Sequence, residues 1–361
     1  MRRNHILSLL LFIAVTCCYG SILVPITQKS LTYSGRVEKV GNQYAKIFWP
    51  GTSVTITFKG TELKAILKNG TEDAWFYAIV DGIENDLKKF KADTLKTSVV
   101  LTSDLKDTIH SVQLFKLSNN TSCTYFYGFE LADGSTLLDA KPLPERKIEF
   151  YGNSITAGHG VDVLPGQEDS GSPEYFNNYW TYATRTARHF NARYSCISRS
   201  GIGVMVSWFP IIMPEMYDRL NPEDSSSKWD FSQYTPDIVV INLFQNDMWL
   251  TASPDHPQFK ARFGTTPPDV STIIQSYQNF VKSIRNKYPN ASIICVLGSM
   301  NATEKGSPWP GYIEKAVEGL SDSKIFTHFF PYKNTSGHPK VADQKVMADD
   351  LIDFIDKNIK W

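Results

Sequence analysis

The sequence predicts two fold classes in series: a β-sandwich of jelly-roll type, then an α/β unit with a mostly parallel sheet flanked by helices. Three observations predict it. Residues 22–140 carry short alternating runs separated by Gly, Asn and Asp turns. Beyond residue 147, apolar strand-like runs alternate with stretches of helical periodicity. Between the two, Lys141-Pro-Leu-Pro144 reads as a stiff linker with little regular structure. A chain of 361 residues is long enough for two cores. The boundaries are therefore set at 21–140, 141–146 and 147–361, after a leader over residues 1–20.

In the first part, Val54-Thr-Ile-Thr-Phe58 alternates cleanly and Leu63-Lys-Ala-Ile-Leu67 nearly does. Trp75-Phe-Tyr-Ala-Ile-Val80 ends at the turn signal Asp81-Gly82, and His110–Phe115 and Cys123–Tyr127 continue the pattern. In the second part the strand candidates are Ile148–Tyr151, Arg193–Ser198, Asp237–Phe244, Ser292–Leu297 and Lys324–Phe329. The strongest helix has Val270, Ile273, Ile274, Tyr277, Val281, Ile284 and Tyr288 on one face, opened by Pro267-Pro268-Asp269 and closed by Pro289. A last helix runs from about Pro339 to Lys357.

Charge and cysteine usage narrow the function classes. Basic and acidic residues balance at 37 each, and no basic run of the kind that binds nucleic acid or acidic membranes occurs. Arg2-Arg3, the apolar run Ile6–Val15 and Cys18-Tyr19-Gly20 form an export leader, with cleavage expected after Gly20. Lipid attachment at Cys17 or Cys18 is the alternative. The apolar run is too short to span a bilayer, so a periplasmic or extracellular protein without a membrane span is expected. Once the leader is removed, Cys123, Cys196 and Cys295 are too few and too odd for a disulfide framework. Cys196 and Cys295 lie in apolar runs, where a thiol behaves as a small hydrophobe. No Cys/His cluster has metal-ligand spacing, so neither a metal nor a cofactor is expected. Sequons such as those at Asn69 and Asn301 matter only in a host that glycosylates them.

The chemistry-bearing segments lie at strand ends. Ile148-Glu-Phe-Tyr-Gly-Asn-Ser154-Ile-Thr-Ala-Gly158 reads as strand, tight turn, helix, which exposes the Ser154 hydroxyl at the carboxyl edge of a sheet. Taken alone, such a serine could instead be an N-cap. Three later segments supply what a serine nucleophile needs: a glycine turn at Ser200-Gly201, the Asn246-Asp247 pair, and His338 before Pro339. The Asn246 amide can donate to an oxyanion, whereas Asp247 is expected to cap a helix or fix the loop.

These four segments, in this order, resemble the SGNH (GDSL-type) hydrolases. The resemblance maps their block residues onto Ser154, Gly201, Asn246 and His338. Tyr33-Ser-Gly-Arg36, Phe48-Trp-Pro-Gly-Thr52 and Val80-Asp-Gly82 look like the β-domain of carbohydrate esterase family 2, so the resemblance covers nearly the whole mature chain. It implies an acetyl esterase acting on O-acetylated plant polysaccharides or their oligosaccharides, of xylan, mannan or glucan type. Three positions depart from the wider group. Asn153 replaces the first-motif Asp, Phe244-Gln245 replaces the Gly-x before Asn-Asp, and Thr335 stands three before His338 where the triad Asp is usual. The resemblance also implies that some members work with a Ser-His dyad.

The expected chemistry follows. Ser154 attacks the acetyl carbonyl, His338 takes its proton, and the N–H groups of Ser154 and Gly201 with the Asn246 amide hold the oxyanion. His338 is expected to be held by a carbonyl or neutral group of the Thr335–Gly337 loop; a carboxylate would have to come from another loop, and the sequence singles out none. Trp208, Trp249 and Trp309 flank these loops and are candidates for stacking on a sugar, although burial in a core is the commoner fate of each taken singly. A monomer acting on acetylated carbohydrate is expected. The rival readings are a non-catalytic carbohydrate-binding protein and a lipase or thioesterase of the same fold.

Overall fold

The computed structural model describes residues 20–71, 73–119 and 123–361; the expected leader lies, apart from Gly20, outside them. The N-terminal part consists of two antiparallel sheets. One is ordered Val37–Val40, Tyr44–Ile47, Thr124–Leu131, Leu63–Asn69, Thr97–Thr102, with Ile22–Pro25 also pairing along Thr124–Leu131. The other is ordered Thr136–Leu137, Ser53–Gly60, Thr108–Lys116, Trp75–Val80, Lys88–Lys91, with Thr32–Ser34 on Ser53–Gly60. Alternation drives this arrangement: Val54, Ile56 and Phe58 of one sheet and Leu63, Ala65 and Leu67 of the other are fully buried in one shared core. The strands that the pattern left out, such as Val37–Val40 and Lys88–Lys91, have no fully buried residue; Val37 and Phe90 pack only partly against the core, and pairing holds the rest.

The C-terminal part is built on a five-stranded parallel sheet ordered Arg193–Ser198, Lys147–Gly152, Ile238–Asn242, Ser292–Leu297, Ile325–Phe329. Helices cover both faces, so Ile238–Asn242 is buried at every position. The helix Val270–Lys287 begins where Asp269 accepts from Thr272 N–H at 2.7 Å, and it buries Ile273, Tyr277, Val281 and Ile284. The last helix runs Val341–Asn358. The chain order in the sheet reverses beside Lys147–Gly152, and the crevice outside the carboxyl ends of the strands at such a reversal is where ligands bind in open α/β sheets.

A buried arginine joins the two parts. Arg36 has no exposure and donates from Nη1 to the carbonyls of Tyr217 (2.6 Å) and Arg219 (2.8 Å). Its Nη2 lies 3.7 Å from Glu149 on the first parallel strand and donates to Tyr151 Oη at 3.2 Å. Trp49 adds a bond from Nε1 to the Leu220 carbonyl at 2.8 Å. Among the described residues no helix is long and apolar enough to cross a membrane.

Candidate active site

Ser154 opens the short helix Ser154–Ala157 immediately after the strand Lys147–Gly152. Asn153 caps it, its Oδ1 accepting from Ile155 N–H at 3.0 Å, so the Asn-for-Asp departure keeps the cap. A side chain at position 152 would meet Thr156 Oγ1 at 2.1 Å, which explains the glycine before the turn. The Ser154 N–H belongs to the first helical turn and so has no intrahelical carbonyl to reach.

Gly201 follows the neighbouring strand with φ +83°, a left-handed conformation suited to glycine. Behind it the loop is fixed from below. The Asp247 carboxylate accepts from the backbone N–H groups of Val204 (3.0 Å) and Met205 (2.7 Å). Burial pushes its pKa up to about 6 while those N–H groups oppose the rise. Asp247 therefore fixes the loop, one of the two roles expected of it.

Asn246 lies in the first turn of the helix Gln245–Thr251, not at a strand end. The strand stops at Asn242, short of the expected Phe244. Phe244 turns the chain with φ +89°, the conformation that would favour the glycine it replaces. Asn246 Nδ2 donates to the Ile202 carbonyl at 2.7 Å, and its Oδ1 accepts from Trp208 Nε1 at 3.0 Å. An amide carries two N–H protons, so Ile202 occupies one of them.

His338 overturns the dyad expectation. Its ring Nδ1–H donates to Asp169 Oδ2, and its backbone N–H donates to the same oxygen at 3.1 Å. The support is thus a carboxylate from a distant loop, not the Thr335–Gly337 segment. Thr335 is exposed and receives the Lys333 ammonium at 2.8 Å. Burial lowers the His338 pKa below 6.5, with Asp169 opposing and His159 assisting the shift. Burial raises that of Asp169, but hydrogen bonds from His159 and His338 outweigh it and hold the carboxyl well below the usual range.

His159 went unnoticed in the sequence. Its ring stacks on that of His338 at 3.9 Å and 18°, and its Nε2 lies 3.1 Å from Asp169 Oδ1. Its backbone N–H donates to the Ser154 carbonyl at 3.0 Å, which ties the serine helix to the histidine pair. Gln344 of the last helix adds a bond to the Ile155 carbonyl at 3.0 Å. His159 follows the serine motif directly, between Gly158 and Gly160, and that position was the available signal. Asp169 lies in a Gly-, Ser- and Pro-rich loop that carries no signal.

The three tryptophans diverge. Trp208 is 49% exposed beside Asn246, and Trp249 is half-buried with Nε1 on Asn301 Oδ1 at 3.1 Å. Trp309 is 6% exposed and packs on Phe244 at 5.0 Å, so it is a core residue rather than a sugar platform. The structure also brings together three metal-type donors that sequence spacing did not suggest. Donor atoms of His159, Asp169 and His338 lie within 4.8 Å of one another. Hydrogen bonds already account for their closeness, and a cation there would have to displace both histidine protons.

Ser154, Gly201 and Asn246 therefore follow three adjacent strands, and His338 follows the edge strand, all at the carboxyl edge. Residues 33–141 match the family described as carbohydrate esterase 2 N-terminal, and residues 150–345 match the GDSL-like lipase/acylhydrolase family. A family two carbohydrate esterase from Clostridium thermocellum, solved with cellohexaose, is 33% identical with a TM-score of 0.80, covering 91% of this chain and 98% of that one. The chain belongs to carbohydrate esterase family 2. The cellulase/esterase CelE of Acetivibrio thermocellus is 33% identical over 92% of this chain, which spans only 40% of CelE's length. An acetylxylan esterase / glucomannan deacetylase of Cellvibrio japonicus is 23% identical, over 87% of this chain and 84% of its own. Membership of the family bears out the two-part fold and the ester-hydrolase class expected from the sequence.

Proposed function

We propose that this carbohydrate esterase is an exported O-acetyl esterase that removes acetyl groups from plant polysaccharides or their oligosaccharides by a Ser154–His338–Asp169 triad. Export rests on the leader motif, and the division at residues 141–146 on the change from antiparallel to parallel sheet. The observation that carries the mechanism is Asp169 on His338 Nδ1. An ionised carboxylate only accepts, so it fixes the proton on Nδ1 and leaves Nε2 with a lone pair. His338 then takes the proton of Ser154 as Oγ adds to the acetyl carbon, and Asp169 stabilises the imidazolium that forms. The N–H groups of Ser154 and Gly201 and the second Asn246 Nδ2 proton donate to the oxyanion. His338 returns the proton to the sugar oxygen as the C–O bond breaks. Water clears the acetyl-enzyme by the same route, with His338 again the base.

The relatives named an acetylxylan esterase / glucomannan deacetylase support acetylated xylan or mannan as substrate, and the complex with cellohexaose supports a site open to β-glucan chains. The exposed Trp208 ring, joined to Asn246, suits stacking on a sugar at the site. Acetate release from acetylated xylan, mannan and glucan oligosaccharides by wild type and Ser154→Ala tests the reading. Wild type should turn over at least one of them, and Ser154→Ala none. Equal release by a folded Ser154→Ala protein would falsify the nucleophile assignment. Faster turnover of octanoate than acetate esters would instead favour a lipase.

A further inference from the structure

We propose that His159 is a positioning residue of this esterase site, resting on the triad reading above: it holds Asp169 against His338 with one ring nitrogen and Ser200 of the Gly201 turn with the other. The contacts form one chain. Asn119 Oδ1 accepts the Ser200 N–H at 3.2 Å, and Ser200 Oγ lies 3.2 Å from His159 Nδ1. His159 Nε2 lies 3.1 Å from Asp169 Oδ1, and Asp169 Oδ2 receives the ring and backbone N–H of His338. The side chain that abstracts the proton and the turn that faces the oxyanion are thereby tied through a single imidazole, with Asn119 anchoring the far end from the β-rich part.

Donor and acceptor counting fixes the tautomers. Asp169 is ionised and accepts only, so both imidazoles must turn an N–H to it: Nδ1–H from His338 and Nε2–H from His159. Neutral His159 then has its lone pair on Nδ1, where it accepts the Ser200 hydroxyl proton. Both polar atoms of the ring are used, and its tilt is fixed by the stack on His338 at 3.9 Å and by Phe176 at 4.7 Å.

The arrangement has an electrostatic consequence. Two rings draw on one carboxylate charge, so His338 receives less of it than in an isolated pair. The charged and titratable groups that bear on this ring pair are Asp169, His338 and His159 themselves and Lys333, with Asp343 and Lys340 acting on Lys333. Loss of the His159 hydrogen bond would give Asp169 wholly to His338 and favour the imidazolium.

His159→Phe keeps a stacking ring and loses both hydrogen bonds; His159→Gln restores an N–H for Asp169. With 4-nitrophenyl acetate, Phe should lower kcat by about 10- to 100-fold with KM changed less than about threefold, as a misplaced base does. Its acid limb should move to higher pH, and Gln should recover most of kcat. An unchanged kcat and acid limb in a folded Phe variant overturns the proposal. So does a Gln variant as impaired as Phe, since an N–H returned to Asp169 then recovers nothing. Nitrogen-15 NMR of the Ser154→Ala protein reads the tautomer without any catalysis. Protonation of His159 at Nε2 is expected, and at Nδ1 it overturns the proposal. Because that readout needs no turnover, it separates failure of this inference from failure of the triad reading, which Ser154→Ala activity decides.

Discussion

The Asp169 carboxylate accepts both the ring Nδ1–H and the backbone N–H of His338, 169 residues further along the chain. A loop carboxylate thus does the orienting that Thr335 cannot. Asp169→Asn presents an amide that can offer N–H to Nδ1 and so stabilise the wrong tautomer, which deprives Nε2 of its lone pair. We expect kcat to fall by on the order of a thousandfold or more with the fold intact, as it does when a triad carboxylate becomes an amide. Thr335→Ala should be nearly silent. The reverse ranking, read from kcat on 4-nitrophenyl acetate, would return the supporting role to the Thr335–Gly337 loop.

Burial lowers the His338 pKa, and His338 as the proposed base must be neutral to accept a proton. Activity should therefore rise with pH through a midpoint below 6.5 and be level by neutrality; a midpoint above 7 contradicts this. Asp169 adds a stability effect of definite sign. Its folded pKa is depressed, so its contribution is present above the unfolded value of about 3.9 and shrinks as pH falls below it. In urea unfolding, the advantage of wild type over Asp169→Asn should be larger at pH 6 than at pH 3.

How much of this was legible depends on how local each signal is. Ser154, Gly201 and His338 stood out because strand-to-helix punctuation is written in adjacent residues. Asn246 was found for the same reason, but it sits in the first turn of a helix rather than at the strand end, because the strand stops at Asn242 and Phe244 turns the chain. Arg36 belonged to a motif noted for resemblance alone. Its union with Glu149 across 113 residues is a tertiary fact, as is that of Asp169 with His338. Trp309 takes the core position that is the commoner fate of a tryptophan, and the sequence could not separate it from Trp208 because proximity to a loop does not reveal which side of a helix faces the core.

Phe244 carries two opposing effects. Its backbone at φ +89° costs a non-glycine residue roughly 1–2 kcal/mol, while its ring is fully buried against Tyr277 at 4.6 Å and Trp309 at 5.0 Å. Phe244→Ala loses the ring and keeps the strain, so a destabilisation of about 3–5 kcal/mol is expected. Phe244→Gly loses the ring and relieves the strain, and should be more stable than the Ala variant by about 1 kcal/mol. Denaturant unfolding of both decides; an Ala variant more stable than the Gly variant would mean that the strain is negligible.

Asn246 and Trp208 can be separated by their shared hydrogen bond. On the proposed mechanism Asn246→Ala removes an oxyanion donor needed most in the transition state, so kcat should fall by on the order of a hundredfold to a thousandfold. It also frees Trp208 Nε1 and the Ile202 carbonyl, which adds some loss of order in the Gly201 turn. Trp208→Phe keeps an aromatic face for the sugar and releases only the Asn246 Oδ1 contact. On acetylated oligosaccharides it should lower kcat several-fold with little change in KM, because the amide is less firmly aimed. Trp208→Ala removes the face itself, so KM for oligosaccharides should rise while KM for 4-nitrophenyl acetate holds. Equal KM values for the Phe and Ala variants on oligosaccharides would show that Trp208 acts only through Asn246, as a positioning residue without contact to the sugar.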